Sequence, residues 1–216
     1  MRLFLPVLVL AAMGVAAASP RADQTAPPAG DLAARLQKRY ETIRDFTADF
    51  TQTYRGLLLR QAATERGTVQ LKKPNRVRFT YDVPERKVFV SDGVLFRSYY
   101  PEERAGSEYP LPKEDEAPTA LLFLAGRGNL VRDFTASTAA GAPAGEWHLG
   151  LLPKSRQADF DTLTLFVDAR TLALLGFVTT DDQGTNTIRF SHLKENTGLS
   201  DRAFEFTFPK GTEISR

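Results

Sequence analysis

Two stretches decide the fold: GTVQLKKPNRVRFTY at 67–81 and KVFVSDGVLFRSYYP at 87–101. Val77, Phe79 and Tyr81 share one parity, while Arg76, Arg78 and Thr80 share the other. Period-2 alternation of this kind predicts pleated strands with one apolar face. Lys72-Lys73-Pro74-Asn75 reads as a turn, because proline fixes its own φ and has no amide to donate to a central ladder. Ser91-Asp92-Gly93 reads as a hairpin tip. An apolar sheet face has to be covered by something.

The same alternation recurs on both sides. Phe46, Ala48 and Phe50 alternate with polar residues. So do Val69/Leu71, Trp147/Leu149/Leu151, Leu163/Leu165/Val167, Leu175/Phe177, Ile188/Phe190/His192 and Phe204/Phe206/Phe208. Nine to eleven strands are predicted, joined by hairpin signals, which argues for one strongly curved antiparallel sheet. Helix signals are few. Asp31 is placed to cap a helix to about Arg44 with Leu32, Leu36, Tyr40 and Ile43 on one stripe. A second, short apolar helix is predicted through Ala120–Ala125 after Pro118. Residues 101–118 read as an acidic loop, 135–145 as a soft loop, and Leu57-Leu58-Leu59 as a strand end or hairpin tip.

The first 18 residues read as a secretory signal peptide: Arg2, an apolar run from Leu3 to Val15, and Ala16-Ala17-Ala18 as a small-residue cleavage site. Residues 19–30 are a flexible lead-in, and 31–216 are expected to form a single soluble domain. There is no cysteine, hence no disulfide framework, thiolate metal site or acylated-cysteine anchor. Without Arg2 the chain has 27 basic residues against 26 acidic ones. The charge is uneven, with nine Lys/Arg between 55 and 87 and six acids between 102 and 116. The basic run reads as a solvated strand face or a surface for an acidic partner. An exported chain without an aromatic ladder among its basic residues argues against nucleic acid.

No catalytic site is indicated. His148 and His192 sit in strand runs, with His192 expected to be partly buried, and two histidines make a poor zinc site. There is no Gly-x-Ser-x-Gly elbow or phosphate loop, and Ser91 fits a turn. Neither enzyme activity nor a cofactor or metal is expected. The large apolar residues on the strand faces outnumber what two short helices can cover. That points to a tight core or an apolar cavity, and a wide uncovered apolar patch usually has a binding role.

Five pieces in order resemble one family. They are Phe46–Gln52, Lys72–Asn75, Phe79-x-Tyr81, Val90–Gly93 with Leu95 and Tyr99-Tyr100-Pro101, and Phe204–Gly211. Together they resemble the periplasmic outer-membrane lipoprotein carrier (LolA) family over about residues 31–214. The resemblance implies a mainly β fold with two or three helices, in which a strongly curved antiparallel sheet forms an unclosed half-barrel under a helical lid. It implies a monomeric chaperone that takes acylated lipoproteins from an inner-membrane ABC-type release complex and hands them to an outer-membrane lipoprotein receptor. The acyl-chain pocket expected on this basis comprises Phe50, Val77, Phe79, Tyr81, Phe96, Trp147, Leu149 and Leu165. Leu121, Leu122 and Phe123 correspond to the lid. The family's arginine before the turn proline, implicated in closing the lid, is Lys73 here, which keeps the charge without the planar fork. Arg76 or Arg78 can take the latch or partner role if aimed inward. A periplasmic binder of another lipid or apolar ligand is the alternative, with a hydrolase using Ser91 or His192 and a protein–protein regulator on the basic face as further readings.

Overall fold

The computed structural model describes residues 26–57, 62–111, 128–154 and 160–216. The expected signal peptide, the second predicted helix and the lid residues Leu121, Leu122 and Phe123 lie outside them. Among the described residues there are twelve strands in one sheet. In chain order they are β1 (Asp45–Gly56), β2 (Ala63–Lys72), β3 (Arg76–Val83), β4 (Lys87–Asp92), β5 (Leu95–Tyr100), β6 (Ala105–Pro110), β7 (Phe134–Thr138), β8 (Glu146–Pro153), β9 (Thr162–Asp168), β10 (Leu174–Thr180), β11 (Gly184–Glu195) and β12 (Glu213–Ser215). The spatial order is β12-β6-β5-β4-β3-β2-β1-β11-β10-β9-β8-β7. The sheet is not closed, as a half-barrel requires. All pairs are antiparallel except β12 on β6.

Helix α1 (Ala29–Glu41) buries Leu32, Ala33, Leu36 and Tyr40 against the inner face of the sheet. It begins two residues before Asp31, which lies in its first turn, and Pro28 is the N-cap residue. It ends where the Thr42 amide and hydroxyl both turn back to the Arg39 carbonyl. A short helix α2 (Leu130–Asp133) packs beside α1, its first amides capped by the Asn129 side chain. Gln37 of α1 accepts from the Leu130 amide at 3.0 Å.

Gly67 shows why the central hairpin needs its residue types. It lies at a bulge opposite Tyr81, where a Cβ would sit 1.9 Å from the Thr80 carbonyl oxygen. The Asp92-Gly93 tip forms as its sequence demands. Asp92 accepts from the Val94 and Leu95 amides, and Gly93 takes φ +101°.

Several segments differ from expectation. Part of the expected acidic loop is strand β6, held by Arg97–Glu108 at 2.7 Å and a Ser98–Ser107 hydroxyl pair at 2.7 Å. Part of the expected soft loop is strand β7. Phe204, Phe206 and Phe208 form no strand. A 3-10 turn (Asp201–Phe204) and an extended tail lay them over the outer face of β3–β6, with Phe206 and Phe208 against Tyr99. Phe208 lies directly over Gly106, where a Cβ would come within 2.4 Å of its ring. His192 takes φ +52° near the β1–β11 bulge and is exposed, paired with Asp49 at 2.7 Å. His148 is buried on the outer face against Phe166.

Candidate functional site

The inner face is built by parity. Register across the sheet places Phe46, Ala48 and Phe50 of β1 beside Val69 and Leu71 of β2, and Val77 and Phe79 of β3 beside Phe89 of β4. On the other side it runs through Phe190 and Ile188 to Phe177, Leu165 and Leu149. All eight pocket residues expected from the sequence share this face. Phe50, Val77, Phe79, Tyr81, Trp147, Leu149 and Leu165 are buried in one cluster with Leu32, Leu36 and Tyr40 of α1, and Phe96 is partly exposed. Phe50 packs edge-on to both Phe79 (5.3 Å) and Tyr81 (4.9 Å), a favoured geometry for aromatic pairs. Phe96 stacks between Phe89 and Tyr109 farther along the sheet.

A narrow cavity runs between α1 and β10–β11, lined by Leu36, Tyr40, Ile43, Phe46, Leu174 and Phe190 among others. Its free volume is about 10 Å3. That is about the space of one water molecule and far below the ~300–1,000 Å3 of a ligand pocket. Between α1 and β10–β11 the helix therefore leaves no room for an apolar ligand.

Two basic residues hold α1 down. Arg39 pairs with Glu195 of β11 at 2.6 Å. Lys73, in the β2–β3 turn, donates to the Tyr40 carbonyl near the end of α1 and lies 3.8 Å above the Tyr40 ring. Its backbone amide also donates to the Arg44 carbonyl at 2.8 Å. Burial pulls the Lys73 ammonium down to about 8, with Glu41 opposing. Lys73 thus touches α1. Arg76 and Arg78 do not aim inward. Their parity is opposite to that of Val77 and Phe79. Arg76 pairs with Asp201 (3.4 Å), while Arg78 donates to the Ala203 carbonyl (3.2 Å), so both fasten the C-terminal tail. Lys72 also pairs with Asp201, Lys87 with Glu65 and Arg86 with Glu102, so much of the basic run between 55 and 87 is matched within the chain.

Sequence reading missed the polar side chains that continue the inner face past its apolar part. Gln52 accepts from the Tyr81 hydroxyl at 2.6 Å, and Lys87 pairs with Glu65 at 2.5 Å while lying over the Tyr81 ring. Burial, with Glu65 nearby, pushes the Tyr81 hydroxyl well above the usual phenol range. The signal was present: extending the parity of Phe46-Ala48-Phe50 reaches Gln52 and Tyr54. Among the described residues no group of three or more His, Cys, Asp or Glu is arranged to hold a metal ion, and no helix is long and apolar enough to cross a membrane.

Residues 41–207 match the family described as outer membrane lipoprotein carrier protein LolA. A curated outer-membrane lipoprotein carrier protein of Nitrosomonas europaea is 29% identical over 175 residues, covering 79% of this chain and 82% of its own. One of Hahella chejuensis is 29% identical over 214 residues, covering 96% of this chain and 98% of its own. Among solved structures, an uncharacterized conserved protein from Thermus thermophilus shares the fold at 12% identity, with a TM-score of 0.53 over 86% of this chain and 98% of that one. With its unclosed sheet, its helix-covered apolar face and a family match over most of its length, the chain belongs to the LolA outer membrane lipoprotein carrier family.

Proposed function

We propose that this protein is a non-catalytic periplasmic chaperone that binds lipoproteins by their acyl chains. It receives them from an inner-membrane ABC-type release complex and delivers them to an outer-membrane receptor, working as a monomer. The observation that carries this reading is the continuous apolar inner face, from Val77 through Phe50 to Leu149, part of which lies under a helix held at one end by a lysine and an ion pair.

The physical logic is competition. Each buried methylene contributes about 0.8 kcal/mol, so two or three acyl chains amount to tens of kcal/mol gross. A cavity standing open to that extent would not let go. Here Leu32, Leu36 and Tyr40 already cover the part of the face under α1, so cargo lying there gains only the difference between its own contacts and those of α1. Loading then needs work and delivery does not.

The test is native mass spectrometry of the purified chain mixed with a triacylated lipopeptide or with phospholipid. A lipopeptide complex that Phe50→Asp abolishes supports the reading. Binding of phospholipid with none of lipopeptide replaces it with a general lipid binder.

A further inference from the structure

On six neighbouring strands the inner face changes from apolar to polar toward the same end. Along β1 it runs Phe46, Ala48, Phe50, then Gln52 and Tyr54. Along β11 it runs Phe190, Ile188, then Asn186, and along β10 Phe177, then Thr179. On β2 it runs Leu71, Val69, Gly67, then Glu65. On β3 the apolar run ends in the Tyr81 hydroxyl, and on β4 Phe89 gives way to Lys87. That end carries the β3–β4, β5–β6 and β10–β11 turns. The far end is closed by Lys73 on Tyr40 and by the Ser91 hydroxyl donating to the Asn75 carbonyl.

These polar groups do not satisfy one another fully. The Asn186 side-chain oxygen is buried without a hydrogen-bond partner among the described residues. Gln52 uses its oxygen on Tyr81, leaving its amide nitrogen to donate. The Lys87 ammonium sits at the border, between Glu65 and the rings of Tyr81 (4.5 Å) and Phe89 (5.9 Å). A buried acceptor left unpaired is costly, and an incoming donor repairs it.

We propose that this polar end receives the head of an acylated ligand, its ester- and amide-bearing glyceryl-cysteine, while the chains lie toward Phe46 and Phe190. The inference rests on the carrier reading and gives it a direction. An amide N–H of the head donates to Asn186, ester carbonyls accept from Gln52 and Lys87, and the cargo polypeptide leaves past the β3–β4 turn. A fatty chain without such a head gains nothing from these groups.

The experiment uses the chain without residues 1–18 and two probes, a dipalmitoyl-S-glyceryl-cysteine peptide and the hydrocarbon diphenylhexatriene. Asn186→Leu and Lys87→Met are each expected to weaken the lipopeptide about tenfold, the effect of losing one buried hydrogen bond, and to leave the hydrocarbon unchanged. Unchanged lipopeptide affinity in both variants overturns the proposal, as does an equal loss for both probes, which marks a purely structural role. Wild-type protein that binds neither probe sinks the carrier reading itself. On wild type, a photo-crosslinker at the second residue of the lipopeptide is expected to label residues near 54–57, 62–66 and 84–87. Labelling confined to 73–75 and 92–94 reverses the direction and overturns the proposal.

Discussion

The ammonium of Lys73 lies 3.8 Å above the ring of Tyr40 and donates to that residue's own carbonyl, tying the turn between two strands to the end of the helix that covers the sheet. One lysine thus reads both the position of α1 and the local polarity. Its pKa of about 8 lies below the ~10.4 of a free lysine. Between those values the unfolded chain binds more protons than the folded one, so stability rises with pH. Against Lys73→Met, wild type is expected to gain stability from about pH 8 to pH 10.4, by roughly 1 kcal/mol once the partial exposure of the side chain is allowed for. Urea melts of both proteins across this range check it. A stability difference independent of pH refutes the assignment.

Asp45 is the second anchor of the same region. Its buried carboxylate accepts from the Thr197 amide (2.7 Å), the Thr197 hydroxyl (2.9 Å) and the Gly198 amide (3.1 Å). Burial opposes its charge, but these donors hold the carboxyl below the usual range. Its contribution is complete above the unfolded pKa of about 3.9 and is lost as pH falls through the lower folded value. Asp45→Ala is expected to cost about 2–4 kcal/mol at pH 7, because buried donors lose a charged acceptor. The wild-type advantage should shrink in acid. Denaturant melts at pH 7 and pH 3 measure both.

Gly67→Ala should be far more damaging than its size suggests. The added methyl meets the backbone carbonyl of Thr80 rather than a movable side chain, so β2 and β3 must part. A loss of at least about 2–3 kcal/mol is expected, above the ordinary ~1 kcal/mol cost of a point mutation. A thermal melt within a degree or two of wild type contradicts this.

Leu149→Ala and Phe204→Ala separate the two faces. Both side chains are fully buried, Leu149 inside and Phe204 under the outer tail. Each truncation is expected to cost about 2–5 kcal/mol. Only Leu149→Ala should also change lipopeptide affinity, because Phe204 lies on the other side of the sheet. Calorimetric titration beside the melts distinguishes them, and an equal affinity loss in both would remove the inner face from the binding role.

The alternation around Val77-Phe79-Tyr81, the Asp92-Gly93 tip and the stripe on α1 were legible from the chain alone, because side-chain direction follows the backbone period. The same rule placed all eight expected pocket residues on one face. It failed where pairing depends on a neighbour. Short strands at or next to the sheet edges, such as β7 and β6, owe their extension to β8 and β5, and their own residues look like loop. Phe204, Phe206 and Phe208 alternate as cleanly as any strand here, yet docking against Tyr99 and Gly106 makes them an outer cover. Local order thus decided which residues are apolar together. Only the tertiary structure decided that α1 packs onto part of that face, that Lys73 rather than Arg76 or Arg78 reaches it, and that the inner face turns polar at one end. Those facts depend on register between strands distant in sequence, and periodicity within a strand carries no information about register.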